Sequence, residues 1–151
     1  MKRVYVDTSV FGGVFDAGFK NASEDFFDQI KFGQFDLVTS DVVQKEIISA
    51  PQEVRDFFNT MLPHAEVVDI TVDALKLRKA YLDAKVVSAK SSNDALHVAL
   101  ATVSNCAVIV SWNFKHIVHY NKIPLYNAVN ILNGYSQIAI YSPLEVMKYE
   151  D

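Results

Sequence analysis

The stretch Val4-Tyr5-Val6-Asp7-Thr8-Ser9 decides how this chain is read. Residues 3–6 form a short apolar run, the pattern of a central parallel strand covered on both faces. The run stops at a carboxylate. A buried strand rarely ends in an unpaired carboxylate without reason, because moving an ionised group out of water is costly. The ordinary alternative is a turn closed by Asp7, with Thr8 and Ser9 behind it. The functional reading is preferred here.

Working outward, Gly12-Gly13 marks a loop. Ser23 is placed to cap a helix through about Lys31, with Phe26, Phe27 and Ile30 on its buried stripe. Phe35 to Val38 is a second strand. Ser40 or Asp41 then caps a helix through about Ser49 that turns Val42, Val43, Ile47 and Ile48 inward. Pro51 opens a further helix at its first position and Pro63 ends it. Glu66 to Val68 is a third strand, and Thr71 caps a helix through about Ala84. Ser91 to Ser104 is helical and leads into the cleanest strand, Ala107 to Val110. Phe114 to about His119 reads as a short helical turn. Pro124 to Leu132 is helical and stops at Asn133-Gly134. Gln137 to Tyr141 alternates, as an edge strand does. Ser142-Pro143-Leu144-Glu145 matches a capping box.

Strands alternating with helices predict a three-layer α/β fold, with a central, mainly parallel sheet of about five strands flanked by helices. A chain of 151 residues fits a single domain over 1–151. In such sheets the ligand site lies beyond the carboxyl ends of the strands.

Composition narrows the class. Half-hydrophobic content (50%) with 21% charged residues belongs to a folded globular chain. A net charge of −4 and a pI near 5.5 run against the basic surface expected of a nucleic-acid binder. The single cysteine, Cys106, cannot pair within the chain, which points to a reducing, cytoplasmic setting. It reads as a small buried hydrophobe. Met1-Lys2-Arg3 runs straight into the first strand, so no targeting segment is expected. The most apolar stretch, Ala95 to Val110, is broken by His97, Thr102, Ser104 and Asn105 and is too short to span a bilayer.

Four sequence regions bring polar residues toward the strand ends. Asp7 follows the first strand, and Glu46 lies on the helix after the second. Asp94 opens the helix leading into the strand at 107–110, and Ser111-Trp112-Asn113 follows that strand. Carboxylates gathered at one rim repel unless a cation neutralises them. Hard cations such as Mg²⁺ take oxygen ligands and keep waters and substrate phosphates. Such a cluster suits phosphodiester cleavage. Each residue also has a plainer role. Glu46, taken alone, is a solvated helix residue. Ser91-x-x-Asp94 matches a capping box, so cap and ligand stand level for Asp94. Asn113 is equally a cap for the next turn. His97, one helical turn after Asp94, either faces the same pocket or is a satisfied, partly buried histidine.

Other chemistries lack their residues. There is no Gly-rich phosphate loop. Ser9 stands where a haloacid-dehalogenase-like phosphatase needs a second aspartate. His64, His97, His116 and His119 have no zinc spacing. Ser9 has no evident base partner.

Four segments together resemble the PIN-domain family. Val4-Tyr5-Val6-Asp7-Thr8-Ser9 is similar to its opening strand and first acid. Val42-Val43-Gln44-Lys45-Glu46-Ile47 resembles the helix with the second acid. Asn93-Asp94-Ala95-Leu96-His97-Val98-Ala99-Leu100-Ala101 resembles the third motif. Val110-Ser111-Trp112-Asn113-Phe114-Lys115-His116-Ile117 resembles a variant of the fourth. Each is weak alone, and the order and spacing of all four are specific.

A free-standing domain of this size resembles the VapC-like toxins. That resemblance implies a Mg²⁺- or Mn²⁺-dependent endoribonuclease, commonly a homodimer and held inactive by a small antitoxin. It implies Asp7, Glu46 and Asp94 as metal ligands that also position the attacking water. Asn113 falls where many members carry another aspartate, which removes one negative charge. Lys2, Arg3, Lys45, Lys90 and Lys115 are candidates to hold phosphates. Phe11, Phe15 and Trp112 can stack on unpaired bases, although core packing is the default for such residues. The rival is a non-catalytic PIN-like module that binds RNA or a partner protein. Neither reading involves a membrane.

Overall fold

Val4, Tyr5 and Val6 have no exposed surface and lie in the middle strand of the sheet. In a computed structural model describing residues 2–148, β1 (Lys2–Val6) pairs in parallel with β2 (Phe35–Ser40) and with β4 (Val108–Val110). Outside these, β3 (Ala65–Val68) pairs with β2 and β5 (Ala139–Tyr141) with β4, again in parallel. The order is β3-β2-β1-β4-β5. The five-stranded parallel sheet is the one expected, and the alternating Gln137 to Tyr141 segment supplies an edge strand.

Parallel neighbours need crossover connections, and helices provide them. They are α1 (Thr8–Gly13), α2 (Lys20–Lys31), α3 (Asp41–Ile48), α4 (Gln52–Met61), α5 (Val72–Asp83), α6 (Ser92–Val103), α7 (Ile123–Leu132) and α8 (Pro143–Lys148). Contacts link α1, α2, α3, α4 and α8 as one group and α5, α6 and α7 as another. The first group packs on phenylalanines, with Phe11 centred 5.0 Å from Phe27 and 4.9 Å from Phe58. In the second, Tyr81 meets Tyr126 edge-on at 4.9 Å. Each such pair adds roughly 0.5–1.5 kcal/mol beyond its buried area.

Several caps match the local chemistry. Ser40 Oγ accepts the Val43 N–H at 3.3 Å, and Thr71 Oγ1 accepts that of Ala74 at 3.1 Å. Glu145 Oε1 accepts the Ser142 N–H at 3.0 Å, one half of the expected capping box.

Three local expectations need correction. Gly12-Gly13 is the end of α1, not a loop. A Cβ on Gly13 would lie 2.6 Å from Ser23 Oγ and 2.7 Å from Trp112 Nε1, so glycine answers close packing there. Ser23 is not a cap, because α2 begins at Lys20 and holds Ser23 fully buried. Ile48 is not inward; it ends α3 and is 69% exposed.

The chain builds β1, β2 and β3 outward, then crosses to place β4 on the other flank of β1. The carboxyl ends of β1 and β4 therefore mark the switch point, where crevices form in doubly wound sheets. Val6 is in register with Val110, so Asp7 and Ser111 leave the sheet side by side.

Candidate active site

Asp7 sits in that crevice. Its N–H extends the ladder by donating to Val110 O at 3.2 Å. Its side chain is 4% exposed, and two hydroxyls meet it. Ser9 Oγ donates to Oδ1 and Ser111 Oγ to Oδ2, both at 2.6 Å. The hydroxyls are themselves held by the chain after β4. Ser9 Oγ accepts the Trp112 N–H and Ser111 Oγ accepts the Asn113 N–H, each at 2.9 Å. Burial pushes the Asp7 carboxyl above the usual carboxylate range, and the nearby Glu46 charge adds to this. His97 and the two serines oppose the shift without cancelling it. Each Asp7 oxygen retains acceptor capacity after one hydrogen bond.

Glu46 reaches the rim from α3, after β2. Both of its hydrogen bonds fall on one oxygen. Thr8 Oγ1 and His97 Nε2 each approach Oε1 at 2.7 Å, while Oε2 takes none. Partial burial pushes the Glu46 carboxyl up, but the bond and charge of His97 and the Thr8 hydroxyl outweigh it and hold it below its ordinary value.

Behind His97 runs a buried relay. The Tyr5 hydroxyl lies 2.7 Å from His97 Nδ1 and 2.7 Å from Ser40 Oγ. An ionised Glu46 only accepts, so Nε2 carries a proton. In a neutral ring Nδ1 accepts from Tyr5 and Tyr5 in turn accepts from Ser40, and in a charged ring both of these bonds run the other way. Side chains from β1, β2 and α6 thus fix the ring that fixes Glu46. A carboxylate pair with free oxygen lone pairs at a crevice suits a hard cation and a phosphate.

A family model for the PIN domain matches residues 4–117, which includes β1 through β4 and both carboxylates. The chain belongs to the PIN domain family. Solved structures share its fold. One is a chain of DNA-bound VapBC from Salmonella typhimurium, 16% identical, with a TM-score of 0.60 over 95% of this chain and 99% of that one. A second is a chain of FitAcB from Neisseria gonorrhoeae, 10% identical, with a TM-score of 0.60 over 93% and 98%. A third comes from a toxin-antitoxin complex of Klebsiella pneumoniae, 14% identical, with a TM-score of 0.57 over 75% and 88%. No curated protein matches the sequence.

Within this PIN domain, Glu46 is bonded to Thr8, the residue next to Asp7, and its charge reaches the Asp7 carboxyl. Asp94 lies half-buried in the first turn of α6 with no hydrogen bond, and its charge acts on the Tyr126 phenol. The capping box proposed for it is not formed, since Ser91 makes no side-chain cap. Asn113 caps the turn after β4, its Oδ1 accepting the N–H groups of Lys115 at 3.2 Å and His116 at 2.9 Å. It still joins the site, because its own N–H holds Ser111 Oγ. Among the described residues, no three of His, Cys, Asp or Glu stand close enough to hold a metal by themselves.

Some expected rim residues are elsewhere. Lys2 and Arg3 occupy the amino end of β1, roughly 13 Å or more from Asp7 at strand spacing. Arg3 is engaged there by Glu66 Oε1 at 2.6 Å and Ser104 O at 2.9 Å. Phe11 is fully buried and Trp112 stacks on Phe19 at 4.3 Å, so both are core, while Phe15 is 42% exposed. Cys106 is a buried free thiol whose pKa burial pushes up to about 12. Among the described residues no helix is long and apolar enough to cross a membrane.

Ser9, Thr8 and Ser111 are the residues that sequence reasoning undervalued. The signal was present in Asp7-Thr8-Ser9 and Ser111-Trp112-Asn113, hydroxyls directly after two neighbouring strands.

Proposed function

We propose that this PIN domain is a Mg²⁺- or Mn²⁺-dependent endoribonuclease of the VapC-like toxin type. The observation that carries the reading is the Asp7–Glu46 pair at the switch point, with Glu46 Oε2 unengaged. The donor set fits a hard cation. It consists of carboxylate oxygens with spare lone pairs, and burial of Asp7 makes its negative charge costly until a cation offsets it. One or two carboxylates suffice for Mg²⁺ when waters and phosphate complete its shell. Such an ion supplies an activated water and positive charge for the phosphoryl oxygens.

The chain's own groups do the rest. Ser9 and Ser111 aim the Asp7 carboxylate. Thr8 and His97 hold Glu46 by Oε1, so Oε2 faces outward to bind the cation or accept a proton from water. Asp94, in the first turn of α6, does not complete a three-residue cluster with this pair and would act on the ion through its bound waters. Asn113 steadies Ser111 and the loop. The similar structures are described as VapBC, FitAcB and toxin-antitoxin complexes, which supports a cognate antitoxin as partner, and the family resemblance adds a homodimer in the cytoplasm to the proposal.

The test is a metal titration followed by cleavage of single-stranded and looped RNA. Mn²⁺ at a hundredfold excess over its dissociation constant should add ~2.7 kcal/mol of stability. RNA should be cut by wild type and not by Asp7→Asn or Glu46→Gln. Metal binding without cleavage would favour the non-catalytic module, and an unchanged melting curve in Mn²⁺ would overturn the metal site.

A further inference from the structure

Beside Glu46 the surface opens into a cleft of about 430 Å³. Its walls come from α3, α5 and α6 and from Ile70 before α5. Two cations flank it, Lys45 next to Glu46 on α3 and Arg78 on α5. Neither has a hydrogen-bond or ion-pair partner among the described residues, whereas Arg3, Lys20 and Lys79 are each paired with a carboxylate. Ile70, Leu75 and Leu96 give the cleft an apolar side, and the Asn93 amide stands at its edge.

These features select a nucleotide. The volume lies within the roughly 300–1,000 Å³ of small-molecule sites. Unpaired ammonium and guanidinium groups attract phosphate, and the guanidinium fork matches it in shape. An apolar wall takes the face of a base. A side-chain amide offers both a donor and an acceptor to a base edge. Glu46 belongs both to the cleft and to the carboxylate pair, so whatever fills the cleft adjoins the reacting phosphate.

We propose that this cleft is the subsite for the nucleotide next to the scissile phosphate of single-stranded RNA. Lys45 and Arg78 hold its flanking phosphate, its base lies against Ile70, Leu75 and Leu96, and Asn93 contacts the base edge. This rests on the nuclease reading and adds to it where the strand runs, from the switch point across α3 toward α5. It also reconciles an acidic chain with an anionic substrate, since two local charges suffice without a basic surface.

The experiment measures binding of short fluorescent oligoribonucleotides to Asp7→Asn protein, chosen so that cleavage should not remove the ligand, at several salt concentrations. Each single-strand phosphate contact contributes about −0.7 to the slope of log affinity against log salt. Lys45→Gln and Arg78→Gln should each weaken binding, and the double variant should make the slope shallower by ~0.7, the loss of one phosphate contact. Arg78→Lys should keep the slope, and so should Lys31→Gln on α2. Asn93→Ala should flatten any preference among oligo-A, oligo-C, oligo-G and oligo-U. Thermal melts of every variant check folding. If the parent binds RNA and the double variant keeps the full slope, the subsite is wrong while the nuclease reading stands. If the variants instead lose binding of an acidic peptide and keep that of RNA, the cleft serves a protein tail and the proposal is overturned. If wild type cuts no RNA and the parent binds none, both the reading and the subsite fall.

Discussion

Tyr5→Phe removes one atom and tests how Glu46 is aimed. The deleted hydroxyl joins Ser40 Oγ and His97 Nδ1 at 2.7 Å each, and the ring itself stays. Ser40 keeps the Val43 N–H as a partner, so the main orphan is His97 Nδ1. Tyr5 is 0% and His97 2% exposed, which leaves water no easy way to replace the lost donor. A buried polar group stranded in this way costs about 1–3 kcal/mol. For a domain of this size each kcal/mol shifts the melting point by roughly 2–4 °C, so a central loss of ~2 kcal/mol lowers it by about 4–8 °C. Function should suffer separately from stability. Without the Tyr5 hydroxyl the ring is no longer held from behind, so its bond to Glu46 Oε1 weakens and Thr8 alone holds that oxygen firmly. Supporting residues of this kind typically change metal affinity or activity by about 10–100-fold. Thermal unfolding reads the first effect. Mn²⁺ affinity and cleavage, measured well below both melting points, read the second, and ¹⁵N spectra of the imidazole report the tautomer directly. A variant that melts with wild type, binds Mn²⁺ equally and keeps the Nε2–H form would refute the relay as the support of Glu46.

Other perturbations address separate links. Burial raises the Asp7 carboxyl, so ionised Asp7 weakens the metal-free fold above that raised pKa, and the penalty fades as pH falls through it. Asp7→Asn should therefore be more stable than wild type at neutral pH and lose that advantage in acid, as urea titrations at both pH values will show. Gly13→Ala would place a methyl 2.6 Å from Ser23 Oγ and 2.7 Å from Trp112 Nε1, forcing the buried indole to move. Overpacking of this sort costs about 1–3 kcal/mol, and tryptophan fluorescence should shift with it. Asn113→Ala should cost ~1 kcal/mol through the lost cap, while Asn113→Asp should keep it, by equilibrium unfolding.

The architecture was legible because its signal is periodic. A continuous apolar run at 4–6, another at 107–110 and helices between them leave few arrangements besides a parallel sheet. Asp7 and Glu46 followed, since a rule about strand ends says where to look. What escaped were facts of three-dimensional proximity. Lys2 and Arg3 are close to Asp7 in sequence but at the opposite end of one extended strand. Gly13 looked like a loop because its real constraint, the indole of Trp112, lies about a hundred residues away in sequence. His97 was left between pocket and core, and it is both, buried at 2% exposure yet bonded to the rim carboxylate. Arg78 drew no notice, because nothing in its own neighbourhood on α5 signals the cleft it faces.

β1 comes first of the five strands in sequence order and occupies the centre of the sheet. Of its two neighbours, β2 follows soon but β4 comes only at Val108–Val110. The hydroxyl of Ser111 that completes the Asp7 carboxylate lies 104 positions along the chain, and His97 lies 92 positions from Tyr5. Contacts of such separation must overcome loop closure before they give any return, so they form late and slow the overall rate. On the ribosome, the amino-terminal half carries Asp7 and Glu46 but lacks both the flank and the relay that aim them. Any truncation before Ser111 should therefore yield a polypeptide whose Asp7 carboxylate lacks one of its two hydroxyl donors.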